Sequence, residues 1–560
     1  MYHPIINSVR HGTITLPGGR PGVIIKTNNI SAMATQYQLP LRGKEIETRP
    51  VYIEEWLDSL PYIDFDTSAK LMHQALLAIN AVHMKSTQRM ELVTLFHRPY
   101  KYYLDTQIRA GAQHTAQSID AIQKQLTGLK QLAIQLGRAS RMAMDEALTH
   151  KSLWGQNKYP LQEIVMTMTY LSHALIFSFL EYAPTPQKVW KELNFLYQFA
   201  ENINQHRTPV KLVQTSRKDV TSIERRYKRI ALIAVADPYH LPFGAIWEIY
   251  EQLHLWNDLA ELGSFQTTDI PSGHFVINLN TDNSPLPYEK FNLANVNEYT
   301  RILDTNKLLP VIKDLIETIH AGKKPDGLHF SPYYAEYLLR IIEKAWGKPP
   351  KRDFPRKAKN GELNIAHGLN SIYFYLNDEN EFRLHQMDRE ENEEANLTNF
   401  TTNITNNYSK DIWKLVDTSG GGIAVTRDGK PMNGVRVGDL IGFNLDEKNN
   451  SQKTFRVGVL RWMLVRQGRI YKAGVQIINQ PVFPGGVRAA AGNRVDREYR
   501  RAILTGNPVI ERDLRIITHK GLFEPDRELE IYYNNKNYRG KIKKMVESTT
   551  CFEELGVELL

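Results

Sequence analysis

Two short runs hold the residues best suited to gripping a small anionic molecule. Arg352-Asp353-Phe354-Pro355-Arg356 sets two guanidinium groups four positions apart, with a proline stiffening the chain between them. Asp417-Thr418-Ser419-Gly420-Gly421-Gly422 sets a carboxylate, a hydroxyl and three glycines in one run. A guanidinium fork pairs bidentately with phosphate oxygens and offers a flat face for stacking. It also matches the O6 and N7 edge of guanine. Asp417 is purely an acceptor, suited to ring N–H groups, and Ser419 adds a short hydroxyl. Gly422 either leaves room for a ligand or permits a backbone angle closed to other residues. Neither run is specific by itself. Arg225 with Arg229 and Arg497 with Arg501 repeat the arginine spacing. Asp417 and Ser419 also fit an Asx-type turn before a strand.

Such residues need a rigid frame, and the flanking sequence supplies strands. Gly347-Lys348-Pro349-Pro350-Lys351 breaks the chain, and the composition then turns to β-formers. Strand-like runs follow at 363–366, 371–376, 412–416, 423–426, 440–445, 454–465 and 471–478. Short strands joined by Gly-rich turns predict a small antiparallel barrel. Residues 377–408 are rich in Asn, Asp, Glu and Thr and read as a flexible insertion within it.

The two motifs stand in order, and three further strands follow them. These are Gly438-Asp439-Leu440-Ile441-Gly442-Phe443, Val457-Gly458-Val459-Leu460-Arg461-Trp462 and Ala473-Gly474-Val475-Gln476-Ile477. Together they resemble the PilZ family, the bacterial receptors for cyclic di-GMP. The resemblance covers residues 351–478 directly. It implies a barrel that binds cyclic di-GMP through Arg352, Arg356, Asp417, Ser419 and Gly422. Lys351, Arg461, Arg497 and Arg501 are the further candidate contacts. The gap from Arg356 to Asp417 is longer than the family usually shows. The insertion at 377–408 absorbs it, because a longer flexible loop adds little closure entropy. In the alternative, Arg497 and Arg501 supply the phosphate contacts in place of Arg352 and Arg356.

The rest of the chain divides by periodicity. Residues 1–48 read as a β-rich arm, with Pro17-Gly18-Gly19 as a turn. Residues 49–264 carry helical spacing and predict eight to ten helices. Within them Thr221 and Glu224 fit a capping box, and Arg225-Arg226-Tyr227-Lys228-Arg229 reads as a solvated basic face. Residues 265–346 are mixed, with a strand near Phe275–Leu279 and helices near 308–320 and 333–345. The barrel takes 347–490, and 491–560 form a second small β unit, either a separate barrel or a sheet on the first. The fold class expected is multidomain α+β.

A net charge of +9, from 70 basic and 61 acidic residues, permits an anionic partner without demanding one. One cysteine, Cys551, excludes an intramolecular disulfide. Met1–Arg20 shows no signal-peptide pattern. Ile164–Leu180 is too short and polar to span a bilayer and reads as a core helix. A cytoplasmic protein is expected. No metal or catalytic motif is present, so no enzyme activity and no cofactor are expected. The expected function is a cyclic di-GMP receptor that signals through its helical region to a protein partner, in motility, pilus or biofilm control. A ligand-independent scaffold is the alternative, and a nucleic-acid binder ranks last.

Overall fold

Helix-period stripes govern the chain up to about residue 256 and period-2 runs govern its last third, and the structure follows that division. The computed structural model describes residues 38–112, 119–149, 159–212, 220–269, 271–330, 334–348, 355–382, 408, 410–429, 435–445, 454–467, 469–490, 499–507, 509, 513–549 and 551–560. Most of the expected N-terminal arm and the middle of the expected insertion lie outside the described residues.

Among the described residues eight helices come first: α1 (Pro50–Asp58), α2 (Phe65–Ile79), α3 (Ser86–Ala112), α4 (Ile119–Thr149), α5 (Leu161–Leu180), α6 (Val189–Asn202), α7 (Ile223–Val235) and α8 (Ala245–Trp256). Two-residue ladders β1 (Leu41–Arg42), β2 (Glu45–Ile46), β3 (Val210–Lys211) and β4 (Val220–Thr221) tie the connections. Asp64 caps α2, its carboxylate accepting from the Thr67 N–H at 3.1 Å. α5 is buried throughout Ile164–Leu180, which makes it the central core helix that its mixed composition suggests.

Two local expectations change here. The cap of α7 is Ser222, whose hydroxyl accepts from the Arg225 N–H at 3.2 Å, one residue after Thr221. The basic run that follows is not a solvated face. Lys228 and Arg229 are buried. Lys228 donates to the Ala260 carbonyl at 2.8 Å, and Arg229 donates to the Tyr250 carbonyl at 2.6 Å while lying over that ring. Arg225 pairs with Asp258. These cations cross-brace α7 against α8 and the turn after it.

Next comes a four-stranded sheet in the order β5-β8-β6-β7, from β5 (Glu261–Ser264), β6 (His274–Asn278), β7 (Leu286–Pro287) and β8 (Thr300–Asp304). α9 (Leu308–His320) and α10 (Ala335–Trp346) follow. One apolar cluster runs from Ile53 to Trp346, so the sheet and its helices share the core of the helical region.

Two closed barrels complete the chain. β9 (Lys357–His367), β10 (Asp411–Ser419), β11 (Gly422–Asp428), β12 (Leu440–Leu445), β13 (Thr454–Arg466) and β14 (Ile470–Ile477) close in the order β10-β11-β14-β13-β12-β9. β15 (Val482–Ala489), β16 (Arg500–Thr505), β17 (Asp513–Thr518), β18 (Glu528–Tyr533), β19 (Lys536–Ser548) and β20 (Glu553–Leu559) close in the order β15-β16-β17-β20-β19-β18. Read around the ring, the two orders are the same. The C-terminal β unit is thus a separate barrel with the topology of the first. Its opening strand begins at Val482, earlier than expected, because Pro484-Gly485-Gly486 reads locally as a turn yet pairs as strand with Arg501–Ile503.

α11 (Gly368–Leu376) separates β9 from β10. Its sequence, rich in β-branched and aromatic residues, suggests a strand over 371–376, and the structure makes it helix. Gly368, at φ 79°, turns the chain out of β9. Leu369 and Ile372, three apart, then bury one helical face between the barrels, with Ile503, Ile517 and Phe552. Tertiary burial overrides local propensity.

Candidate functional site

The two motifs meet because β9 and β10 pair. Lys357 lies opposite Thr418 and Ala358 opposite Asp417, so Arg356 enters the barrel beside the end of β10. A bulge between Leu415 and Asp417 interrupts both of β10's ladders, and irregularities of this kind re-aim neighbouring side chains. Arg356 Nη1 donates to Asp417 Oδ2 at 3.3 Å, across 61 residues of sequence. The side chains are 39% and 19% exposed, which leaves the pair accessible from solvent. Ser419 Oγ donates to the Gly422 carbonyl at 3.3 Å and closes the β10–β11 hairpin. Gly422 is needed for close approach: a Cβ there would collide with the Val475 carbonyl of β14. Its role is therefore backbone packing beneath the motif, and its φ lies outside the left-handed region.

The remaining candidates are placed differently. Lys351, Arg352 and Arg497 lie outside the described residues. The structure gives Arg461 another role: it donates to Glu547 of the second barrel at 2.8 Å and to Gln476 at 2.8 Å. Arg501 donates to the Tyr408 hydroxyl at 3.1 Å and pairs with Glu381. Glu381 follows α11 and Tyr408 precedes the start of β10, whereas Asp417 sits near the other end of that strand. Six strand residues separate the ends, or about 20 Å. The structure does not bring Arg501 to Asp417.

Three family models match in succession: the N-terminal domain of the cyclic-di-GMP receptor FimW at residues 52–267, its middle PilZ domain at 274–413, and its C-terminal β-barrel domain at 485–560. The chain belongs to the PilZ-domain family. The PilZ match takes in Arg352 and Arg356 and ends at Trp413, just before the Asp417 motif. Also similar to this PilZ protein is the Cyclic-di-GMP receptor FimW of Pseudomonas aeruginosa, 21% identical over 91% of this chain and 90% of its own length. No solved structure gives a significant match.

Two features of this PilZ protein escape a linear reading. Tyr182, just past α5, lies in the core of the first barrel with Trp413, Val437 and Val465. Its hydroxyl accepts from the Val437 N–H at 3.3 Å, and its carbonyl accepts from the Val465 N–H at 2.7 Å. Nothing in its local sequence signals a partner 255 positions away. The second is a cluster at the barrel junction. His367 Nε2 meets Asp439 Oδ2 at 2.5 Å, and Cys551 Sγ donates to Asp439 Oδ1 at 2.6 Å. Burial pushes the Asp439 carboxyl up, but His367, Cys551 and the Arg436 N–H outweigh it and hold the carboxyl below its usual range. Burial lowers His367, and the adjacent carboxylate outweighs that and raises it. A cavity of about 350 Å³ opens beside them, lined also by Ser371, Tyr408 and His519. With both carboxylate oxygens engaged, the cluster reads as a structural latch between the barrels.

Proposed function

We propose that this chain is a receptor for cyclic di-GMP. The ligand sits on the outside of the first barrel, gripped by Arg356 and Asp417, with Arg352 as a further contact and Ser419 and Gly422 beneath Asp417. The observation that carries this reading is the Arg356–Asp417 contact, which unites two motifs that are meaningless apart. Among the described residues Arg356 meets Asp417 through Nη1 alone, and four other N–H donors of the guanidinium remain for a phosphate. Asp417 then accepts from guanine N–H groups. The chain acts in the cytoplasm as a receptor and carries no catalytic step. Ligand occupancy reaches the helical region through Tyr182, and that region presents the signal to a protein partner in motility, pilus or biofilm control.

Calorimetric titration of cyclic di-GMP into the purified chain tests this, with GTP as control. Saturable binding is expected, weakened about ten- to a hundredfold in Arg356→Ala and in Asp417→Ala. No heat and no thermal shift in the folded wild type would sink the receptor reading and leave the scaffold alternative.

A further inference from the structure

A groove in the helical region stands apart from the nucleotide motifs. Ile53 and Leu57, four apart, form the buried face of α1. Glu54, Glu55 and Asp58 take its other faces, and the helix carries no Lys or Arg. A cavity of about 390 Å³ opens between α1 and α3, lined among others by Glu54, Leu57, Asp58, Tyr62, Arg98 and Tyr102. Glu54 and Arg98 pair at 2.6 Å from one helix to the other. The Tyr62 ring meets Tyr102 edge-on at 6.1 Å and stacks with Tyr103 at 5.9 Å. Tyr102 stays exposed, and Ile63, next to Tyr62, is exposed completely. Among the described residues Glu55 and Asp58 enter no ion pair. Exposed apolar groups rimmed by polar ones mark a contact surface.

Residues 1–37 have the complementary chemistry. They hold Arg10, Arg20 and Lys26 and no Asp or Glu, so three cations face the three carboxylates of α1. Ile5-Ile6, Ile14, Leu16 and Val23-Ile24-Ile25 supply apolar side chains. The described chain also starts beside the groove. The Gln38 carbonyl accepts from Trp56 Nε1 of α1 at 2.8 Å, and the Trp56 ring lies against Phe96 of α3, the neighbour of the groove residue Leu95. Gln38 is thus pinned to the two helices that form the walls. The stretch from Lys26 to Gln38 reaches about 40 Å when extended, against about 14 Å for the whole of α1. Tethering makes docking intramolecular, at an effective concentration of about millimolar that a free partner does not match.

We propose that residues 1–37 dock in this groove, with their apolar runs on the Tyr62–Tyr102 floor and their cations against Glu55 and Asp58. No residue of the groove belongs to the first barrel, so docking of the arm and nucleotide binding are measured separately.

The test uses the full chain with photoreactive benzoylphenylalanine in place of Tyr102, isotope-labelled and unlabelled copies being mixed before irradiation. Mass spectrometry of the digest is expected to find crosslinks to residues 1–37 that join peptides of one isotope only. Charge reversal by Glu55→Lys with Asp58→Lys should cut their yield roughly threefold or more, and adding Arg20→Glu with Lys26→Glu should restore it. Glu55 and Asp58 are exposed, so the melting midpoint should stay unchanged. Mixed-isotope crosslinks would assign the groove to a second copy and overturn the proposal. So would crosslinks to other segments, their absence in the folded chain, or a yield indifferent to the charge reversals.

Discussion

Arg356 and Asp417 form a single, partly exposed contact, and such pairs add little to stability. Substituting either should therefore change the unfolding free energy by only about 0–1 kcal/mol. Differential scanning calorimetry of the binding-deficient variants checks this, and a collapse of the melting transition would mean that the pair is architectural. His367 is the contrasting residue. Folding raises its pKa above the usual 6.5, because the neighbouring Asp439 carboxylate favours the protonated ring. Its contribution to stability is fully present below pH 6.5 and is lost as pH rises through the raised folded value. Asp439, held low, contributes above its usual 3.8 and loses that contribution as acid protonates it below. The melting midpoint should decline as pH rises from 6.5 through the His367 transition, and His367→Asn should flatten that decline. An unchanged pH profile in the variant would refute the latch.

Among the elements, the β10–β11 hairpin carries the Asp417 motif and depends on how closely β11 approaches β14. Gly422→Ala would drive a Cβ into the Val475 carbonyl, and backbone at that position has little freedom to move aside. Overpacking of this kind costs about 1–3 kcal/mol. Urea denaturation should show the loss, together with weaker nucleotide binding as the hairpin shifts. A variant as stable as wild type would show that the ladder relaxes there. α11 has a comparable positional role. It places Leu369 and Ile372 between the barrels and so fixes the junction where His367, Asp439 and Cys551 meet.

In the whole molecule, the first barrel is held from two sides. The second barrel grips it through α11 and the Arg461–Glu547 pair. The helical region grips it through Tyr182, which completes a core otherwise built from barrel residues. Tyr182→Ala should cost about 3–5 kcal/mol, as the loss of a large buried ring does. Tyr182→Phe should recover most of it, since the hydroxyl adds one long hydrogen bond. The decisive measurement is where amide exchange accelerates. Protection lost in β12 and β13 would establish that a residue of the helical region stabilises the barrel, and loss confined to α5 would refute the coupling.

The sequence by itself determined the helical region, the barrel around the motifs and the presence of both motifs on it. Those features rest on local periodicity, on turn residues and on chemistry written in short runs. The same local signals misled where burial outweighed propensity. Residues 371–376 read as strand but form the helix that packs between the barrels. Lys228 and Arg229 read as surface but reach carbonyls inside the helical core. Only the tertiary structure decided strand register, because a slip of one residue moves every side chain to the other face. Register is what sets Ala358 opposite Asp417 and Arg356 beside it, and it is closure of the barrels that brings Cys551 to Asp439. Contacts between residues far apart in the chain leave no mark on either local pattern, since each partner satisfies its own element equally well without the other.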